Sequence, residues 1–129
     1  MESSISEGIQ LFNTQKFFEA HEALEIVWLQ ARGEQKTFLH GLIQVAAAFH
    51  HFTRDNLPGF RSLLEKGLRK LEKSGEGWGG IQLADLLDQL QPWRELARQV
   101  GALPPSRGPQ EIRRSVLLPF PRIAPAPRE

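Results

Sequence analysis

The spacing of apolar residues restricts the fold of this chain more than any other feature of its sequence. In several segments they recur at the i, i+3, i+4, i+7 intervals of an amphipathic helix, and no segment shows the sustained alternation of a half-buried strand. The sequence therefore predicts an all-α protein, a compact bundle of about five helices. We expect these helices near Ser4–Thr14, Phe17–Gly33, Glu34–Arg54, from Asn56 onward and from Ile81 onward.

Residues with special backbone properties mark the ends of the later helices. Asp55 or Asn56 is predicted to cap the fourth helix, whose first turn tolerates Pro58. The glycine-rich run Ser74–Gly80 predicts a loop, because four glycines would lose too much backbone entropy in a helix. Pro92 is expected to break or kink the fifth helix, since proline removes a helical hydrogen bond.

A weak internal repeat relates the first two predicted helices to the next two. With a period of 40, it pairs Phe12 with Phe52, Leu24 with Leu64 and Glu25 with Glu65. Each pair lies close to the turn into the second helix of a predicted hairpin. The repeat therefore predicts two stacked helical hairpins, as in tetratricopeptide units.

Composition divides the chain into a helical domain, residues 1–100, and a tail, residues 101–129. At 129 residues and 40% hydrophobic, the chain has the size and apolar content of a single core. Seven of its nine prolines follow residue 100. The run Ser115–Ile123 is still apolar, so we expect an irregular, extended Pro/Arg-rich tail that is partly packed on the helical domain.

Charge and cysteine content restrict the partners. Residues 1–100 carry 11 Lys and Arg against 13 Asp and Glu, which argues against a nucleic-acid-binding platform. There is no cysteine, no signal-peptide pattern in Met1–Ser6 and no apolar run long enough to span a membrane. We therefore expect a cytoplasmic protein without membrane or nucleic-acid partners. The chain could form a homo-oligomer, although its sequence contains no heptad run that would mark an interface.

The stretch FFEAHEALEIVWLQ, Phe17–Gln30, places polar residues within an otherwise apolar helical face. On a helical wheel of about 100° per residue, His21 and Glu25 fall inside the apolar arc, one turn apart, and Glu22 lies at its edge. A buried carboxylate is costly unless it is paired or protonated. The sequence therefore predicts a buried polar seam that needs a partner.

The third helix supplies the expected partner. It is apolar nearly all round, as a central helix would be, except for a polar stripe through His40, Gln44 and His51. We predict that this stripe faces His21 and Glu25, whereas His50 points elsewhere.

Three interpretations of the seam are open. In the first, it binds a divalent metal as cofactor, because helical bundles build such sites from His and carboxylate ligands on facing helices. H-E-A-L-E has the shape of the zinc-protease signature H-E-x-x-H, with glutamate for the second histidine. The function would then be that of a metal-dependent hydrolase-like enzyme. The candidate ligands are His21, Glu25 and His51, with Glu22 or His40 as further candidates and Gln44 as an orienting residue.

In the second interpretation, Glu22 or Glu25 is a catalytic general acid or base beside His21, in a pocket for a small molecule. In the third, His21, Glu25 and Gln44 form a structural cluster, and the protein is a scaffold or binds a protein partner. We expect Trp28, one turn further on, to belong to the core. The candidate binding residues are His21, Glu22, Glu25, Trp28, Gln44 and His51.

Three segments in fixed order, LFNTQKFFEAHEALEIVW, GLIQVAAAFHH and DNLPGF, also resemble a known family. Between about Leu11 and Leu71 the chain is similar to the small helical bacterial and archaeal proteins of domain of unknown function 309. The resemblance implies an all-helical fold of hairpins, and it implies no reaction, substrate or cofactor. Gln15 stands where that family has a turn glycine, so the residue type does not favour a left-handed turn there. The matching positions are Phe12, Asn13, Phe17, Phe18, Glu19, Ala20, His21, Glu22, Glu25, Trp28, Gly41, Leu42, Ile43, Gln44, Asn56 and Gly59.

Overall fold

The computed structural model describes residues 2–74, 80–102 and 118–125. The predicted all-α bundle is confirmed, since these ranges contain five helices and no strand beyond an isolated bridge. The helices are α1 (Glu2–Asn13), α2 (Phe17–Gln30), α3 (Gly33–Thr53), α4 (Leu57–Lys73) and α5 (Leu83–Ala102). Within the same ranges, no helix combines the length and the apolar character needed to cross a membrane.

The helices pack mainly against their neighbours in sequence, and α3 lies between α2 and α4. This position explains why α3 is apolar on most of its surface. Phe49 of α3 is at the centre of an aromatic cluster. Its ring contacts the rings of Phe12, Phe17, Phe60, Trp93 and Phe120.

Helices α3 and α4 approach each other closely at two glycines. A Cβ atom added to Gly67 would lie 2.8 Å from the carbonyl oxygen of Gly41, and one added to Gly41 would lie 3.1 Å from the carbonyl oxygen of Gly67. Only residues without a side chain permit this backbone contact. The pair therefore sets the distance between the central helix and its neighbour.

The internal repeat is visible in the backbone. Helices α1 and α3 end at Asn13 and Thr53, and α2 and α4 begin at Phe17 and Leu57, so the helix ends keep the spacing of the repeat. In the turns between these helices, Gln15 and Asp55 have φ angles of 66° and 62°, so both turns use a left-handed residue at the equivalent position. The left-handed turn thus forms at Gln15 although the family's glycine is missing.

Two predicted helix boundaries can now be assigned. Asn56 is the cap of α4, because its side-chain oxygen accepts a hydrogen bond from the backbone N–H of Gly59 at 3.1 Å. Of the break or kink predicted at Pro92, the break is wrong, since α5 continues through Pro92. Pro92 and Asp88, whose carbonyl loses its helical partner, are both exposed, so water can replace the lost hydrogen bond. Of the loop predicted over Ser74–Gly80, residues 75–79, which include Trp78, lie outside the described residues.

An ion-pair network joins α4 to α5. Arg94 of α5 donates to Glu65 at 2.8 Å and to Glu72 at 2.7 Å, and its side chain is only 12% exposed. The hydrogen bonds that Glu65 accepts from Arg94 and, secondarily, from Arg69 lower its pKa to about 2. Glu65 and Glu72 therefore pair with a largely buried arginine of α5 in addition to being partly in contact with solvent.

Candidate functional site

The predicted seam is less buried than the helical wheel indicated. Glu22 is exposed, the Glu25 side chain is 52% exposed, and the His21 side chain is 28% exposed. The described ranges contain no residue that is both buried and polar or charged. The prediction that His21 and Glu25 form a buried polar pair is therefore wrong for Glu25, which needs no buried partner because water solvates it.

The error has a specific cause. The apolar arc on the wheel of α2 extends as far as Phe18 and Leu29, but these two residues are 47% and 65% exposed. The buried face of α2 is narrower. It consists of Phe17, Ala20, Ala23 and Leu24. His21 lies at the edge of this face, and Glu25 lies beyond it.

Two adjacent cavities follow the groove between α2 and α3. We name them the Phe18 cavity, of about 250 Å³, and the Trp28 cavity, of about 220 Å³. His21 and Ala47 line both, so the small side chain of Ala47 leaves room for the groove. The Phe18 cavity is lined by Phe18, His21, Ala47, His50 and His51. The Trp28 cavity is lined by His21, Glu25, Trp28, His40, Ile43, Gln44, Ala47 and Leu63.

His21 is the residue common to the predicted seam and to both cavities. Its Nε2 lies 3.9 Å from the Oε2 of Glu25, and its ring stacks on Phe18 with centroids 6.1 Å apart. Its Nδ1 is buried and has no hydrogen-bond partner among the described residues. Protonation of Nδ1 would therefore place an N–H donor at a position where this part of the chain offers no acceptor.

Gln44 has a partner other than the predicted one. Its Oε1 accepts a hydrogen bond from the Nζ of Lys70, in α4, at 2.9 Å. It shares the Trp28 cavity with His21 and Glu25 without a hydrogen bond to either of them in the structure. The pKa of His40, in the same cavity, is lowered by burial and by the nearby charge of Lys70.

Trp28 lines its cavity and is partly buried, and it packs against the core as predicted without being fully enclosed by it. The Nζ of Lys36 lies 4.4 Å from the centroid of its indole, within the range of a cation–π interaction. The ring of His40 lies 5.5 Å away on centroids. The indole therefore forms one wall of the groove, and the ammonium group of Lys36 lies over its ring.

His51 is held in one tautomer by the cap of α4. The backbone N–H of Gly59 can only donate, so the Oδ1 of Asn56 accepts from it, and the Nδ2 of Asn56 faces the Nδ1 of His51 at 3.0 Å. The Nδ1 of His51 therefore accepts this hydrogen bond, and in the neutral ring the proton is on Nε2. A neutral imidazole in this state has no lone pair left for a metal ion.

The predicted metal site is not supported by the geometry. The described part of the chain contains no group of three or more His, Asp or Glu side chains that could hold a metal ion. His21, Glu25 and His51 do not form such a group, and His51 is engaged by Asn56. The metal-dependent hydrolase is therefore not favoured. The catalytic roles of Glu22 and Glu25 stay predictions: Glu25 lines the Trp28 cavity beside His21, and both carboxylates are exposed.

His50 also lies in the groove, although its position in the sequence predicted that it points elsewhere. It lines the Phe18 cavity, and its ring lies 5.2 Å from that of Phe18. Burial lowers its pKa, and the positive charges of His51, Arg54 and His21 add to this effect. Its position one turn after Ala47 is the signal that could have placed it on the side of α3 that faces α2.

Comparison with known proteins agrees with the predicted resemblance. Residues 5–63 match the family described as Domain of unknown function (DUF309). An uncharacterized protein of Aquifex aeolicus (strain VF5) is 30% identical over 88 residues, which cover 67% of this chain and 26% of the relative. The uncharacterized protein YpuF of Bacillus subtilis (strain 168) is 32% identical over 97 residues, which cover 73% of this chain and 56% of YpuF.

The matched residues include α1 to α3 and the start of α4, and with them both cavities of the groove. The chain spans only 26% and 56% of the lengths of these two relatives. The resemblance predicted from the sequence is confirmed: residues 5–63 match the DUF309 family.

Proposed function

We propose that the protein is a protein-binding domain that holds an amphipathic helix with arginine or lysine side chains against the exposed face of α2. One observation carries this proposal. Every large apolar side chain that is exposed in the described ranges belongs to this helix, namely Phe18, Ile26 and Leu29. These three residues lie on one side of α2, and exposed apolar residues that cluster on one surface mark contact sites.

The charge of the same face indicates what kind of partner would fit. Glu19, Glu22 and Glu25 are exposed between the apolar residues, and α2 contains no lysine or arginine. A partner with apolar and cationic side chains on one side would match both the apolar and the acidic character of this face. Charge complementarity of this kind favours specific association and increases its rate.

The second hairpin offers a comparison within the chain. Glu65 occupies the position of Glu25 in the repeat, and it accepts hydrogen bonds from Arg94 of the amphipathic helix α5. Among the described residues, the ion-pair partner of Glu25 is His21, at 3.9 Å. A helix that brings an arginine to Glu25 would give the first hairpin the interaction that the second hairpin has within the chain.

The surface of α4 around Glu65 borders a cleft of about 630 Å³ that α5 shares. Its α4 residues include Arg61, Glu65, Lys66 and Arg69. The equivalent positions of α2 in the repeat are occupied by His21, Glu25, Ile26 and Leu29. The two hairpins therefore present the same surface with different chemistry, basic on α4 and apolar with acidic residues on α2.

The size of the cavities favours a protein partner over a small molecule. The Phe18 and Trp28 cavities measure about 250 and 220 Å³, below the usual range of about 300–1,000 Å³ for small-molecule sites. Each cavity has room for one or two side chains of a partner. Phe18 and Trp28 would then contact those side chains, and Phe18 connects the groove to the exposed face of α2.

Photocrosslinking of the full chain tests the proposal. A photoreactive phenylalanine analogue is placed at Ile26 or Leu29, with Lys66, an exposed residue of α4, as the control position. Protein captured from an extract of the organism that encodes the chain is identified, and its crosslinked segment is synthesised. We expect a segment with helical apolar spacing and at least one Arg or Lys, which binds the purified wild-type chain.

The binding measurement decides the outcome. We expect Leu29→Glu and Glu25→Lys each to weaken binding of that segment by about tenfold or more, with unchanged circular dichroism. Equal capture at Lys66, or unchanged binding by both variants, would contradict the proposal. Crosslinks that join only two copies of this chain would also overturn it, and they would assign the face of α2 to self-association.

A further inference from the structure

Residues 118–125 lie extended in a groove formed by the end of α1 and one side of α5. We name it the Asn13–Trp93 groove, after the two residues at its walls. Its residues differ from those of the α2 face, and it is independent of the function proposed above. The groove recognises the backbone of the extended segment in a way that resembles a peptide complex.

Two side-chain amides bind consecutive residues of the segment. Asn13 donates to the carbonyl of Ile123 at 2.9 Å and accepts from its N–H at 2.7 Å. Gln89 donates to the carbonyl of Arg122 and accepts from its N–H, both at 2.8 Å. Asp85 accepts a further hydrogen bond from the Gln89 amide at 2.8 Å, which fixes its orientation. These bonds require an extended backbone and leave the side chain of residue 122 free to vary.

Trp93 and Gln82 hold the two ends of the segment. The Trp93 indole donates to the carbonyl of Pro119 at 3.1 Å and stacks on Phe120, with centroids 5.7 Å apart and an interplanar angle of 7°. At the other end, the backbone N–H of Gln82 donates to the carbonyl of Ala124 at 2.9 Å. The groove therefore fixes the direction of the segment as well as its conformation.

The burial of the segment defines a short sequence pattern. Pro121 and Ile123 are buried and Phe120 is partly buried, whereas Pro119 and Arg122 are exposed. Proline suits this position because it favours an extended course and has no N–H that would need an acceptor. The side chains that the groove selects are thus those of Phe-Pro-x-Ile.

We infer that the Asn13–Trp93 groove is a binding site for extended peptides of the pattern Phe-Pro-x-Ile, and that segment 118–125 is its occupant within the chain. Residues 103–117 separate this segment from the end of α5. Helix α1 packs on α2, and α5 packs on α4, so each wall of the groove is also held by a neighbouring helix. A second peptide of the same pattern competes with residues 118–125 for the same amides and the same indole.

The test uses the full chain and a synthetic peptide, LPFPRIAP, with the sequence of residues 118–125. The variant F120A/I123A weakens the internal occupant and retains the groove. We expect it to bind the labelled peptide about tenfold or more tightly than the wild-type chain does, because a tethered competitor acts at an effective concentration in the millimolar range. Fluorescence anisotropy gives the affinity, and the NMR signal of the Trp93 indole N–H shows the site.

Two controls locate the binding. Adding Asn13→Ala to F120A/I123A should reduce the affinity by about tenfold or more, and a peptide with alanine for Phe and Ile should not bind. If F120A/I123A does not fold, Arg122→Pro weakens the internal occupant instead, because it removes only the N–H that Gln89 accepts. The inference would be overturned if a folded variant did not bind the peptide, or if Asn13→Ala left the affinity for the peptide unchanged.

Discussion

Gln15 and Asp55 occupy equivalent positions of the internal repeat and adopt the same left-handed backbone conformation, with φ angles of 66° and 62°. Each is the residue that directs the chain from the first helix of a hairpin into the second. Asparagine and aspartate tolerate this conformation through local hydrogen bonds, but glutamine has no such advantage. The first hairpin therefore contains a residue that is less suited to its turn.

Gln15→Gly should stabilise the protein. The left-handed conformation costs a residue with a side chain about 1–2 kcal/mol, and the greater freedom of glycine in the unfolded chain offsets part of this gain. We expect the free energy of unfolding in urea to rise by about 0.5–1 kcal/mol. Gln10→Gly is the matched control, because Gln10 lies inside α1 and the change should cost about 1 kcal/mol. A similar decrease in the free energy of unfolding in both variants would show that the left-handed conformation of Gln15 has no appreciable cost.

Gly67→Ala should destabilise the protein through the α3–α4 contact. The new Cβ would lie 2.8 Å from the carbonyl oxygen of Gly41, which is backbone and cannot rotate away. The helices must separate, and we expect a loss of about 1–3 kcal/mol in the free energy of unfolding. Lys66→Ala is the control on the exposed side of the same turn, where the change should stay within about 0.5 kcal/mol. A Gly67→Ala variant as stable as this control would show that the contact is not restrictive.

The fold could be predicted from the sequence because most apolar residues follow one rule: apolar residues at helical spacing form a single buried face of a helix. The spacing of Phe60, Leu64 and Leu68 indicates α4, and their complete burial shows that this helix has one apolar face. The same rule fails in α2, where Ile26 and Leu29 are exposed. A helical wheel cannot distinguish an apolar face that packs in the core from one that remains in solvent. For this reason Glu25 was predicted to be buried, although its side chain is 52% exposed.

The remaining features depend on contacts between residues distant in sequence. The hydrogen bonds of Asn13 to Ile123 span 110 positions, and those of Arg94 to Glu65 span 29. No local sequence pattern predicts that Asn13 contacts Ile123 or that Arg94 contacts Glu65. His50 is an intermediate case, since its spacing from Ala47 indicates the correct side of α3, but only the packing of α2 shows that a cavity lies there.

The Glu65–Arg94 pair predicts a loss of stability in acid. The pKa of Glu65 is about 2 in the folded protein against an ordinary value of 4.5, so the stabilisation is complete above about pH 4.5 and is lost as the pH falls through about 2. Because Glu65 is partly exposed, we expect a decrease of about 1–2 kcal/mol from this pair. The decrease is measured as the difference between the free energies of unfolding in urea at pH 5 and at pH 2.5. Glu65→Gln should reduce this difference, whereas Glu34→Gln, at an exposed position, should leave it unchanged.

The histidines of the groove predict a second pH dependence, at higher pH. Burial and the positive charges of His51, Arg54 and His21 lower the pKa of His50 from its ordinary value of 6.5. The unfolded chain then binds a proton more readily than the folded chain, so stability falls as the pH drops through 6.5. NMR titration of the imidazole signals should show His50 titrating below 6.5. His50→Gln should reduce the slope of stability against pH between 7 and 5, and an unchanged slope would contradict this assignment.

The tautomer of His51 leads to a prediction about metal binding. Because the Nδ1 of His51 accepts a hydrogen bond from Asn56, its neutral ring cannot also coordinate a metal through Nε2 unless that bond is broken. We therefore expect the purified, untagged chain to contain no stoichiometric Zn²⁺, Mn²⁺ or Fe²⁺ by elemental analysis, and its thermal unfolding to be the same with and without chelator. Asn56→Ala should lower the free energy of unfolding by about 1 kcal/mol through loss of the cap. Near-stoichiometric metal that disappears in both His21→Ala and His51→Ala would restore the coordination site and reject this prediction.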